Sequence, residues 1–189
     1  MTETTTAIQD LTGDYQLDVA HTRIGFVARH AMVTKVRGSF QDFEGTAHLD
    51  AQDPTKSSAE LTIQVASITT GQDQRDAHLR NNDFFDVPQF PTITFKSTSV
   101  EAKGDDEFTM TGDLTIKGIT KSVSIDFELT GTAKDPYGNL RAGFDGKAVI
   151  NRTDWGVNFN AALETGGVLV SEKITLEFDV SAIKLTPTA

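Results

Sequence analysis

The stretch FTMTGDLTIKG, residues 108–118, decides the class of fold. Phe108, Met110, Leu114 and Ile116 share one parity, while Thr109, Thr111, Asp113, Thr115 and Lys117 share the other. An extended chain puts these two sets on opposite faces, which describes a strand with one side buried and one side wet. The pattern returns in AELTIQVAS (59–67), where Ala59, Leu61, Ile63 and Val65 oppose Glu60, Thr62 and Gln64. SVSIDFELTG (122–131) and KITLEFDVS (173–181) repeat it, with Val123, Ile125, Phe127 and Leu129, and Ile174, Leu176, Phe178 and Val180, as the apolar sides.

Further strands are expected over Tyr15–Val19, Thr22–His30, Phe43–Leu49, Thr92–Thr98 and Leu140–Ile150, separated by the turn signals QDPTKSS, KGDDE, KDPYGN and ETGG. Strict alternation marks an antiparallel sheet, because strands of a parallel sheet are buried on both faces. One segment, TTGQDQRDAHLRNNDFF (69–85), reads as a short helix, with Asp73 as cap and an Asp76–Arg80 pair one turn apart.

About nine such strands close either as a sandwich with a filled core or as a barrel around a cavity, and alternation does not choose between them. Strand length favours the barrel. Segments of eight to eleven residues span roughly 25–35 Å before tilt, a shape suited to a long apolar ligand.

The chain has 189 residues, 38% hydrophobic and 23% charged, with a formal net charge of −10 and no cysteine. That length suits one domain, expected over 14–185 behind a disordered tail at 1–13. The acidity argues against nucleic acid or an anionic membrane surface as partner, so any bound anion must be held locally. Without cysteine there is no disulfide, thiolate metal site or thiol nucleophile. The first residues show neither a secretory signal nor a membrane anchor, so a cytoplasmic protein that is not integral to a membrane is expected.

One local exception to the acidity is RIGFVARHAMVTKVRG (23–38), which carries Arg23, Arg29, Lys35 and Arg37 and no carboxylate. Parity puts Ile24, Phe26, Ala28 and His30 on one face and Arg23 and Arg29 on the other. Ala31–Arg37 is expected to be a turn or a short helical excursion. Arg29, Lys35 and Arg37 are head-group candidates at a barrel mouth, since a diphosphate is matched by Arg forks and a Lys point charge. The alternative is a solvated loop balanced by Asp18, Asp42 and Glu44. Phe40 has the wrong parity for the face of Phe43, so either a bulge intervenes near Gln41 or Phe40 faces away.

The four histidines, His21, His30, His48 and His78, form no metal-binding spacing, and no nucleophile elbow, phosphate loop or dinucleotide fingerprint occurs. Asp73, Arg75, Asp76, His78 and Arg80 lie together on one short helix, which does not make a converging acid–base pair. No enzyme, metal or cofactor is expected. The candidate lumen residues are those of the apolar faces: Phe26, Ala28, His30, Phe43, Ile63, Val65, Phe95, Met110, Leu114, Ile116, Phe127, Leu129, Leu176 and Phe178. Phe84, Phe85, Phe90, Trp155 and Phe159 lie near element ends, where they line a mouth or pack a core.

Four segments in this order resemble the YceI-like family: YQLDVAHTRIGFVARH (15–30) with the Gly38–Phe40 step, RDAHLRNNDFFDVPQFPTITFKS (75–97), GDLTIKGITKSV (112–123) and NRTDWGV (151–157). The resemblance implies an extended, all-β, eight-stranded antiparallel lipocalin-like barrel with one or two short helices. It also implies a polyisoprenoid or other long-chain lipid as bound ligand, and a homodimer. The expected function is non-enzymatic binding, transport or storage of an isoprenoid quinone or prenyl diphosphate. A fatty acid or fatty amide carrier, and a plugged-barrel interaction protein without ligand, are the alternatives.

Overall fold

The computed structural model describes residues 11–161, 163 and 169–186. Its strands are β1 (Gly13–Leu17), β2 (Arg23–His30), β3 (Thr34–Phe40), β4 (Phe43–Leu49), β5 (Ser58–Gln64), β6 (Ile68–Thr69), β7 (Thr92–Ala102), β8 (Glu107–Ile116), β9 (Ile119–Lys134), β10 (Leu140–Asn151) and β11 (Lys173–Lys184), with one helix, α1 (Asp73–Arg80). All neighbours are antiparallel, in the order β1-β4-β5-β7-β8-β9-β10-β11, and β11 pairs back onto β1. These eight strands close a barrel, so no ring strand is left as an open sheet edge.

Short interruptions let the long strands bend around it. β1 and β2 form one path broken by a 3-10 turn at Val19–His21, which Asp18 caps by accepting from the Ala20 N–H. β3 and β4 form the facing path, broken at Gln41–Asp42, where both N–H groups donate to the Ser67 hydroxyl at 3.1 and 3.0 Å. That break resets parity, so Phe40 and Phe43 are both buried. β11 pairs with β1 at one end and with β2 at the other. No helix among the described residues is long and apolar enough to cross a membrane.

The expectations for 31–37 and for α1 are corrected. Residues 34–37 belong to β3, not to a turn or helix: Val36, Gly38 and Phe40 pair with Ala28, Phe26 and Ile24, and only residues 31–33 form the turn. In α1, Asp73 is not the cap and Asp76 does not pair with Arg80. Asp76 is buried and accepts from the Thr70 N–H at 2.8 Å and the Thr70 hydroxyl at 2.5 Å. Arg80 instead donates to the Ala66 and Ile68 carbonyls, fixing α1 across the barrel end. The tail expected over 1–13 lies outside the described residues up to residue 10, whereas Leu11 is buried and β1 begins at Gly13.

The end of the barrel opposite α1 holds a second buried cluster. Tyr15, 1% exposed, packs with Leu11, Ala142 and Ala182 and donates its hydroxyl to the Leu11 carbonyl at 2.8 Å. Burial pushes its phenol up to about 12. Nearby, Arg141 bridges Asp18 at 2.5 Å and Asp135 at 3.0 Å, and its guanidinium holds Asp18 below the usual carboxylate range.

Candidate functional site: an apolar cavity inside the barrel

The inward side chains do not fill the barrel. They enclose a cavity of about 250 Å³, roughly twenty times the ~10–15 Å³ a single water requires. Part of the reason is where the phenylalanine rings lie. Phe26 pairs with Gly38, and Phe127 with Gly146. A Cβ on either glycine would fall 2.2 Å from the Phe26 ring or 2.4 Å from the Phe127 ring. Each ring therefore folds across its glycine neighbour and lies along the wall, leaving the axis open. Phe127 also meets Phe108, stacked at 5.5 Å, and Phe178 at 5.9 Å.

Beside Phe26 the wall is incomplete. β3 pairs with β2 along its whole length, but β6 meets it only at Ser39 and Phe40, so the other edge of Thr34–Gly38 has no strand partner among the described residues. Leu79 of α1, Phe84 and Phe85 come in from that side to line the cavity.

The roof is the NRTDWGV segment. Asn151 caps a 3-10 turn at Arg152–Trp155 by accepting from the Thr153 N–H, and Gly156 ends it in the left-handed region, φ 75°. The indole N–H of Trp155 donates to the Leu114 carbonyl at 2.9 Å, tying the turn to β8. Arg152 is only 6% exposed and lines the cavity. Its guanidinium donates to the carbonyls of Ser171 (2.8 Å), Val157 (2.6 Å) and Val170 (3.2 Å). Burial pulls this group below its ordinary value, although an arginine stays charged. Nothing in the spacing of the sequence marked Arg152 as inward, because it sits in a turn without periodicity. The other charged residue in the lining, Glu60, has an exposed side chain that meets Lys96 at 3.6 Å.

Of the residues selected from sequence, Phe26, Ala28, Ile63, Phe84, Phe85, Phe95, Met110, Leu114, Ile116, Phe127, Leu176 and Phe178 line the cavity. Six do not. His30 is exposed at the end of β2. Phe43 and Val65 are buried in the wall packing, Val65 because the chain has already turned into a 3-10 helix there. Leu129 packs against the cluster around Tyr15. Trp155 is held in the roof by its hydrogen bond, and Phe159 is held outside the lining by ring contacts with His78 at 4.8 Å and Phe84 at 5.1 Å. Phe40, Ile93, Phe108 and Phe144, outside that selection, also line the cavity; Ile93 and Phe108 share the inward parity of Phe95 and Met110 on their strands, whereas Phe40 does not share that of Phe43.

The head-group candidates are not in the lining either. Arg29, Lys35 and Arg37 are exposed on the outer face. Arg37 meets Glu177 at 3.4 Å, a partner supplied by β11 and not by Asp18, Asp42 or Glu44, and Arg29 donates to the Val33 carbonyl at 3.2 Å. His21, His48 and His78 each lie 2.7–2.8 Å from an aspartate, and among the described residues no three metal-ligating side chains come together.

A closed eight-stranded antiparallel barrel around an apolar cavity is a lipocalin-like barrel. The YceI-like domain family matches residues 15–182. A UPF0312 protein of Staphylococcus aureus is 41% identical over 165 residues, which cover 87% of this chain and 94% of that protein. The crystal structure of Burkholderia cenocepacia BcnA is similar with a TM-score of 0.77 at 25% identity, over 87% of this chain and 98% of that one. A polyisoprenoid binding domain from Saccharophagus degradans, implicated in plant cell wall breakdown, matches with a TM-score of 0.66 over 90% of this chain and 98% of that one. At 17% identity, that last likeness is one of fold. The chain belongs to the YceI-like domain family.

Proposed function

We propose that the cavity holds the hydrocarbon chain of a long-chain isoprenoid lipid, of the isoprenoid quinone or prenyl diphosphate type, and that the protein carries or stores it without chemical change. The observation that carries this reading is the lining. Among the described residues it is made almost wholly of aliphatic and aromatic side chains, and its one inward cation, Arg152, is engaged by backbone carbonyls. Such a wall offers no acid–base pair to a substrate and no strong anchor to a head group. What it recognises is chain. The polyisoprenoid named for the Saccharophagus degradans domain is a ligand of that shape and polarity.

Burying a methylene contributes about 0.8 kcal/mol, so ten carbons contribute on the order of 8 kcal/mol before ordering costs. Affinity should therefore depend on chain length. Titration of delipidated protein with prenyl alcohols of increasing length tests this, using the fluorescence of the single tryptophan, Trp155, in the roof. Each added isoprene unit is expected to tighten binding at least about tenfold until the cavity is full, and then to add little. Affinity independent of length would refute the reading.

A further inference from the structure

The tip of the β2–β3 hairpin has three properties that folding of the barrel does not require. Its turn places Ala31 (φ 51°) and Met32 (φ 62°) in the left-handed region, where residues with a Cβ are rare and strained. The apolar side chains it presents point at water, with Met32 60% and Val33 75% exposed. Immediately below them, Arg29 and Lys35 are directly paired across the two strands, both exposed, with no carboxylate in ion-pair contact among the described residues. Like charges directly opposite each other destabilise a sheet. The other two cations of the hairpin, Arg23 and Arg37, share Glu177.

We propose that this tip docks on an anionic lipid bilayer, with Met32 and Val33 entering the head-group layer and Arg29 and Lys35 meeting lipid phosphates. Exposed apolar side chains ringed by cations are what an interfacial anchor needs, and an anionic surface would relieve the repulsion between the paired cations. At the same end of the barrel, Ile119 at the start of β9 is 38% exposed with the exposed Lys121 two residues on, while Lys117 before it is half-buried and donates to the Gly156 carbonyl at 3.2 Å. The chain's net charge of −10 opposes approach in general. Screening over about 8 Å at physiological ionic strength, however, leaves a tip-first contact governed by the hairpin's own charges. Docking there would set the unpartnered edge of β3, and the cavity-lining Phe26 and Ala28 behind it, next to the membrane.

The test is co-sedimentation of the full chain with vesicles of equimolar phosphatidylcholine and phosphatidylglycerol, against vesicles of phosphatidylcholine alone. Binding is expected to the first only, and to fall as salt rises. Arg29→Ala with Lys35→Ala should weaken it about 25-fold, roughly fivefold per cation. Met32→Glu with Val33→Glu should abolish it. Lys103→Ala, at the other end of the barrel, should leave it unchanged. Equal binding to both vesicles, no binding to either, or tip variants that bind like the parent would overturn the proposal. Leu114→Trp, which obstructs the cavity, should still sediment normally, so a failed lipid-carrier reading and a failed docking site give different results.

Discussion

Phe127→Asp is expected to lower affinity for a long-chain ligand by at least about a hundredfold. Phe127 lies along the cavity wall, stacked on Phe108 and in contact with Phe178. A carboxylate in its place enters a lining whose one inward cation among the described residues, Arg152, is already engaged by backbone carbonyls, and an uncompensated buried charge costs several kcal/mol. About 3 kcal/mol lost from the bound state already corresponds to a factor above a hundred. Leu114→Trp tests the same wall by bulk instead of charge. Its carbonyl accepts from Trp155 through the backbone, so the roof keeps its tie while the indole occupies ligand space. The readout is the prenyl alcohol titration, with circular dichroism to establish that each variant is folded. Unchanged affinity in a folded Leu114→Trp protein would show that the ligand does not lie along this wall.

Arg152→Leu should produce the largest loss of stability from a single substitution. Arg152 holds three carbonyls from two separate stretches of the roof, at Val157 and at Val170–Ser171. Without it, Val170 keeps the Asn160 side chain as donor at 2.8 Å, while the carbonyls of Val157 and Ser171 lose theirs. Hydrogen bonds from a charged donor contribute about 1.5–3 kcal/mol each, and an orphaned buried carbonyl costs about 1–3 kcal/mol. A loss on the order of 4 kcal/mol lowers the melting temperature by about 10 °C or more in a chain of this size. Arg152→Lys should rescue little, because one ammonium does not reproduce a planar fork that serves carbonyls on two sides. A melting temperature within a degree or two of the parent would contradict this account of the roof.

What could be read from sequence follows from periodicity. Where a strand alternates without interruption, parity alone places its inner face, as for Met110, Leu114 and Ile116 on β8 or Leu176 and Phe178 on β11. Parity fails where the chain changes backbone conformation. Val65 continues the alternation of β5 but sits in a 3-10 turn, and Phe40 shifts face relative to Phe43 across the break at Gln41–Asp42. β3 was hidden for a different reason. Its KVRGSF sequence alternates, but the inward positions are filled by Val36, Gly38 and Phe40, and the glycine is needed because the Phe26 ring lies against it. A glycine between an arginine and a serine reads as a turn until its strand partner is known. The loop aromatics had no period to follow, so the Trp155 hydrogen bond and the Phe159 ring contacts decide their direction.

The central claim is that the barrel interior is a lipid site. Native mass spectrometry of the freshly purified protein, followed by organic extraction and identification of the released molecule, tests it most directly. The account predicts one long-chain, predominantly hydrocarbon passenger per barrel, lost from the Leu114→Trp variant. A protein that emerges without a passenger and also fails to take up added prenyl alcohols would contradict it.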